Sequence, residues 1–359
     1  MKTLLLFVLR KIWGVAENPS RELTVPKKIL VVRQHNQLGD LLACVSVFRA
    51  LKETYPTAEV SVLVSPANQA ALAKNKYIDN LFVFDKKLLL SYSYFKTLRK
   101  FLKNEYDLAI VPVTVSISFT SNLLCRLAKA KVRIGPNSLS GKVNASAFFF
   151  DRRIDLDWRK YPDANVSDFS LDILRPFGIV TENFNSEISY DAKDELYSKD
   201  FLKAYKADNG KIIGLHVGAG KPPNRWSFEN FINLINLLEA RFHPKIYLTG
   251  SNDDKEIIDA VLRGVVPETK LFLNKSIPQV AALIANSDLF ITNDTGIMHV
   301  AGATPTPQIS LFGPTNPFNW APNGKVKHFI RHSDLVNEIT VEEVFNLASA
   351  ILEGSQTDV

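Results

Sequence analysis

The chain has 359 residues, 46% of them hydrophobic and 22% charged, which suits about two domains of roughly 150 residues each. That balance supports sizeable cores and excludes a disordered, collagen-like or coiled-coil protein. The 43 Lys and Arg exceed the 37 Asp and Glu by a net charge of +6, too mild an excess to announce nucleic acid but suited to an anionic substrate or a membrane surface.

The first 14 residues read MKTLLLFVLRKIWG, with a six-residue apolar run from Leu4 to Leu9. A spanning helix needs about 20 apolar residues, and the longer apolar region and small-residue cleavage site of a signal peptide are missing. Two readings stay open: a short helix lying in a membrane interface through residues 4–13, or a helix docked on its own domain. Either way the expectation is a soluble or peripheral protein. Cys44 and Cys125 lie in apolar stretches and form neither a disulfide framework nor a zinc-type pair, which points to a reducing compartment.

Lys28–Gln34, a basic start and a β-branched apolar run, predicts a buried strand. A helix over Leu38–Thr54 follows, with Leu41, Val45, Phe48 and Leu51 on one face. Strands are expected at Glu59–Val64, Leu81–Phe84 and Asp107–Val113, and helices at Ala67–Lys74, Tyr92–Lys103 and Ser118–Lys129. The alternation argues for a parallel sheet covered on both faces. Val132–Asp157 reads as irregular or antiparallel, and Asp168–Phe177 as a closing helix. Near Tyr190 the pattern restarts, with strands at Lys211–Val217, Lys245–Thr249, Leu271–Leu273, Leu289–Thr292 and Gln308–Phe312. Helices at Phe228–Arg241, Asp253–Arg263, Ile277–Asn286 and Gly296–Ala303 separate them, and Val341–Leu352 makes a last amphipathic helix. The fold class is therefore α/β: two doubly wound, Rossmann-like domains facing across a cleft. Ligands in such sheets sit beyond the carboxyl ends of strands.

Three motifs lie in such loops. Leu38-Gly39-Asp40 follows the first strand, and Asp40 is either an N-cap worth about 1 kcal/mol or a carboxylate facing the cleft as general base. Gly218-Ala219-Gly220-Lys221-Pro222-Pro223-Asn224-Arg225-Trp226 offers backbone N–H groups and two cations to a phosphate, without a Walker or dinucleotide pattern; Trp226 reads as packing. Asn293-Asp294-Thr295-Gly296-Ile297-Met298-His299 follows a buried strand. Its helix start makes an anion site, with His299 one turn on and on the face of Thr295. The Gly313-Pro314-Thr315-Asn316-Pro317 loop comes next. Two weaker signals are the Asp155-Leu156-Asp157 pair, a remote metal candidate, and Asp254, either a cap or a ribose ligand.

In order and spacing, from about Lys28 to Pro317, this set resembles the ADP-heptose:lipopolysaccharide heptosyltransferases, glycosyltransferase family 9. The resemblance implies a GT-B fold, with residues 27–190 binding acceptor and 191–335 binding the nucleotide-sugar donor. Residues 1–26 then form the amphipathic segment, and 336–359 a helix packing back on the N-terminal domain. It implies Asp40 as catalytic base, Asp294, Thr295, Gly296 and His299 as the donor motif, and an inverting transfer with no metal and no cofactor. Gly218, Lys221, Arg225 and Asp254 complete the expected donor site. The family often has Lys-Arg-Trp or Lys-His-Trp where this chain has Asn224-Arg225-Trp226, so either Lys221 or Arg225 supplies the charge or donor handling differs.

The expected reaction is heptose transfer from ADP-heptose to an anionic, lipid-linked lipopolysaccharide core acceptor, at the inner face of the cytoplasmic membrane, with no nucleic-acid partner. Transfer of another nucleotide sugar, and a nucleotide-sugar-binding protein without turnover, are the competing readings.

Overall fold

A computed structural model describes residues 2–34, 37–203, 205 and 210–354. The expected terminal spans 1–26 and 336–359 thus extend beyond the described residues at residue 1 and at 355–359. Contacts within the chain divide it into two units, Met1–Phe184 and Asn185–Val359, each with its own sheet.

The first unit runs α1 (Lys2–Trp13), β1 (Lys28–Arg33), α2 (Leu38–Ala43), α3 (Val45–Thr54), β2 (Glu59–Val64), α4 (Gln69–Leu72), β3 (Asn80–Val83) and α5 (Tyr92–Leu102). It continues through β4 (Tyr106–Ile110), α6 (Phe119–Leu127), β5 (Ala130–Leu139), β6 (Lys142–Val143), β7 (Arg152–Leu156) and α7 (Val166–Phe169). The sheet order is β3-β2-β1-β4-β5-β6, with β7 also on β5. Strands β1 and β2 are buried apart from their first residues, as expected of parallel strands covered on both faces. The stretch read as irregular or antiparallel is mostly parallel: β5 pairs parallel with β4 and, through a register shift at Pro136/Ser138, with β7, and antiparallel only with the two-residue β6. The helix expected over Asp168–Phe177 is one turn, α7, followed by bends and a short 3-10 turn at Arg175–Phe177. Pro176 removes an N–H that a continuing helix would need.

The second unit runs α8 (Ala192–Lys203), β8 (Ile212–His216), α9 (Phe228–Phe242), β9 (Lys245–Gly250), α10 (Lys255–Gly264), β10 (Thr269–Leu273) and α11 (Ile277–Ala285). Then come β11 (Leu289–Asn293), α12 (Gly296–Gly302), β12 (Gln308–Leu311), α13 (Pro317–Trp320), β13 (Lys327–Ile330) and α14 (Val341–Leu352). Its sheet is parallel throughout, in the order β10-β9-β8-β11-β12-β13. The last helix corrects an expectation. Val344, Ala348 and Leu352 belong to the second unit's own core, α14 packs on α9, and Arg241 pairs with Glu353 at 3.0 Å where the two helices end. A capping box between Thr340 and Glu343 starts the helix there.

In both sheets the winding reverses at one strand pair, β1/β4 and β8/β11. Such switch points open a crevice at the strands' carboxyl ends, and the singled-out motifs fall there. No helix among the described residues is long and apolar enough to cross a membrane.

Candidate functional site

In the first unit the switch point carries a buried polar cluster. β1 ends at Arg33, and the chain enters α2 with Asp40 in its first turn; Gln37 holds the cap position, so Asp40 is not the N-cap. The carboxylate reaches the loop after β4, where Oδ1 accepts from the Thr114 hydroxyl at 2.8 Å. Thr114 Oγ1 accepts in turn from Arg33 Nη2 at 2.9 Å, and Nη2 also donates to the Asp40 carbonyl and lies 3.7 Å from Oδ1. Trp158 Nε1 donates to the Thr114 carbonyl at 2.7 Å, and its ring stacks on Phe169.

One carboxylate oxygen is thus fixed, while Oδ2 is buried without a hydrogen-bond partner among the described residues. Buried polar atoms in folded chains are nearly always paired, so an orphan acceptor of this kind calls for an explanation. Asp40 is only 1% exposed, which corrects the expectation of a carboxylate open to a crevice. Cys44, one turn further along, is also buried, and that burial pushes its thiol pKa up.

In the second unit β8 leads into Gly218. Only glycine fits, because a Cβ there would overlap Oδ1 of Asp254. The other oxygen of Asp254 accepts from the Ser251 N–H and hydroxyl at 2.8 and 2.9 Å in a capping box. The structure therefore realises the capping reading of Asp254 and also sets its second oxygen against the glycine loop. His216 lies buried at the end of β8, its Nδ1 3.0 Å from the Thr249 carbonyl. Burial lowers its pKa, and the Asp254 charge opposes that shift.

Asn293, at the end of β11, ties the loops together. Its Nδ2 donates to the carbonyls of Val217 and Gly218 at 3.0 and 3.1 Å, and its Oδ1 accepts from the Trp226 N–H at 3.0 Å. Asn224 Nδ2 donates to Asp294 Oδ2 at 2.8 Å. Asp294 is half-buried, which raises its carboxyl pKa against the opposing pull of the Thr315 hydroxyl and the Lys221 charge. Trp226 is fully buried, with Nε1 donating to the Ile339 carbonyl at 2.9 Å; it is packing.

The two cations of the loop differ. Arg225 Nη2 donates back to the Ala219 carbonyl at 2.8 Å, and its Nε is buried without a partner among the described residues. Lys221 is exposed and its charge reaches Asp294. Thr295 occupies the cap of α12 in extended backbone and makes no side-chain cap bond. Because α12 is only seven residues long, its pull on an anion comes from first-turn N–H groups more than from a long aligned dipole. His299 is buried, its ring edge-on to Trp320 at 6.3 Å.

The Asp155 and Asp157 pair is engaged by its own neighbours. Asp155 accepts from Asn137 and Ser138, while Asp157 caps a 3-10 turn and pairs with Arg159. Sequence reading missed Arg33, Thr114, Trp158, and the linking roles of Asn224 and Asn293. Only Arg33 carried a signal, as a charge closing an otherwise apolar strand.

The family model for glycosyltransferase family 9 (heptosyltransferase) matches residues 94–347. The chain belongs to that family, and it is a glycosyltransferase. It is 27% identical over 299 residues to the lipopolysaccharide heptosyltransferase 3 of Escherichia coli, covering 79% of this chain and 83% of that one. Its fold is similar to the crystal structure of a family 9 glycosyltransferase from Veillonella parvula, with a TM-score of 0.79 at 21% identity over 95% of this chain and 100% of the other. The ADP-heptose lipopolysaccharide heptosyltransferase II of E. coli superimposes with a TM-score of 0.75 at 21% identity, over 91% of this chain and 99% of that one. The fold is GT-B, with two parallel-sheet α/β units.

Proposed function

We propose that this chain transfers a heptose from ADP-heptose to an anionic, lipid-linked lipopolysaccharide core saccharide, with inversion and without a metal. The names of the E. coli relatives support the donor and acceptor classes. The donor's diphosphate lies on the N–H groups of Gly218–Gly220 and of Thr295–Gly296, with Lys221 as its cation and Arg225 as a brace for the loop. Asp294 and His299 shape that site, and Asp254 offers Oδ1 to a ribose hydroxyl. Groups aimed at the departing diphosphate stabilise the transition state more than the ground state, because charge grows there as the bond breaks.

In the reaction, the acceptor hydroxyl oxygen attacks the anomeric carbon, the bond to the diphosphate breaks, and the hydroxyl proton passes to Asp40 Oδ2. Arg33 and Thr114 hold the carboxylate through its other oxygen. One acid group suffices, since a diphosphate leaves without protonation whereas a glycoside needs it. The observation that carries this reading is the orphaned Oδ2. Asp40→Asn keeps the shape and removes the base: transfer is expected to fall while ADP still binds. Undiminished turnover would remove Asp40 from the role, and a wild-type chain that binds donor without forming product would make it a binder.

A different nucleotide sugar is the second reading, supported by Asn224, which stands where the family often has lysine and is bonded to Asp294. A thermal-shift panel of ADP-, UDP- and GDP-sugars separates the two, since a ligand at 100 times its Kd adds about 2.7 kcal/mol. The proposed location is the inner face of the cytoplasmic membrane. In support, α1 exposes Leu4, Phe7 and Ile12 beside Arg10 and Lys11, while its end is held by Arg126 Nε on the Trp13 carbonyl at 2.6 Å.

A further inference from the structure

The first unit carries a second apolar and cationic surface, built on α5 and α6. From Lys86 to Lys103 the sequence holds six cations and no acid. All six are exposed, and none forms an ion pair among the described residues. Lys96, Arg99 and Lys100 on α5, with Lys103 at its C-cap, follow helical spacing and form one stripe.

Beside them opens a groove of about 570 Å³, with Leu98, Leu102 and Leu124 at its base and Phe95, Leu123 and Leu127 on its sides. Lys86, Arg99 and Lys103 stand at its margin. The loop leading into α5 presents Leu90 fully exposed, and Tyr92, the first residue of α5, is 79% exposed. The loop is held in place, because Tyr94 Oη donates to the Val83 carbonyl and accepts from the Asp85 N–H. α6 is also the helix whose Arg126 holds the end of α1.

We infer that this face docks on an anionic phospholipid bilayer, Leu90 and Tyr92 entering the interface, acyl carbon filling the groove, and the cationic stripe meeting the headgroups. Exposed aliphatic and aromatic side chains next to unpaired lysines are what an interfacial element uses, and each cation near an anionic leaflet strengthens binding several-fold. Charge argues against a second copy as occupant, since a two-fold contact would set six cations against six. Nucleic acid would match the stripe, but it offers nothing to a fully exposed leucine or to an aliphatic groove. The inference does not rest on the identity of the donor or on Asp40.

Cosedimentation of the full chain with vesicles tests it. Binding to vesicles containing phosphatidylglycerol is expected, with little to pure phosphatidylcholine, and it should weaken with salt. Lys96→Glu with Lys100→Glu, and separately Leu90→Asp, should each weaken binding by about ten-fold or more, with ADP binding and thermal stability unchanged. Phe7→Asp measures the α1 contribution in parallel. Several outcomes overturn the inference: no vesicle binding, binding lost only in Phe7→Asp, Leu90→Asp abolishing a concentration-dependent dimer instead, or retention by an RNA oligonucleotide and not by vesicles. Because ADP binding is read in the same samples, failure of this surface is distinguishable from failure of the transferase reading.

Discussion

The two units share one frame and fill it oppositely. Their sheets run β3-β2-β1-β4-β5 and β10-β9-β8-β11-β12. Each also fastens its first strand with an aspartate from the neighbouring strand's start: Asp107 accepts from the N–H groups of Lys27 and Lys28, and Asp288 from that of Ile212. After the first strand they diverge. The first unit enters a helix with a buried carboxylate braced by Arg33 and Thr114, whereas the second runs through glycines and an exposed lysine to amides that suit an anion. The sheet decides where a crevice lies, and a few loop residues decide which charge it receives.

Four perturbations break or sharpen that contrast. Asp40→Asn should lower turnover by roughly 10²–10⁴-fold and leave ADP affinity, measured by calorimetry, unchanged; a joint loss would end the division of labour. Lys221→Ala should weaken ADP binding by about 10–100-fold, the worth of a charge-assisted contact. Arg225→Ala should instead lower Tm, since its guanidinium binds its own loop, and the reverse pattern would exchange their roles. Gly218→Ala forces a methyl onto Asp254, an overpacking that costs about 1–3 kcal/mol. Adding Asp254→Ala should return part of that, which a double-mutant cycle measures.

The smallest effect concerns pH. Burial raises the Asp294 carboxyl pKa, so the folded chain holds that proton more tightly than the unfolded one. Its contribution is fully favourable below the unfolded carboxylate range and is lost as pH rises through the raised value. Asp294→Asn should therefore raise Tm at neutral pH, by about 2–4 °C for each kcal/mol removed, with no gain near pH 4.

Much of the fold was legible because buried parallel strands announce themselves as apolar runs: β1, β8 and β11 were each read within a residue or two. What escaped had a weak pattern. α8 is largely polar, AKDELYSKDFLK, and β13 is a half-buried edge, KHFI; neither shows a clean periodicity. The site's motifs were visible as glycines and acids after strands, and their placement at both switch points follows from the winding. The brace on Asp40 was not visible. Arg33 and Thr114 are separated by most of the first sheet's sequence and meet only because β1 and β4 are adjacent. The return of α14 to the first unit was an expectation carried by family resemblance, and its apolar face found α9 instead.

Cys44 gives the Asp40 cluster a built-in reporter. Its thiol is fully buried one helical turn from the carboxylate, and Cys125, buried in α6, is the other free thiol. A reagent such as a disulfide dye reaches Cys44 only when that region opens, so its labelling rate rises with the fraction of time the region is open. Cys125 serves as the internal reference within the same unit. Slower modification of Cys44 in the presence of acceptor, with Cys125 unchanged, would show that acceptor closes the region around the buried carboxylate.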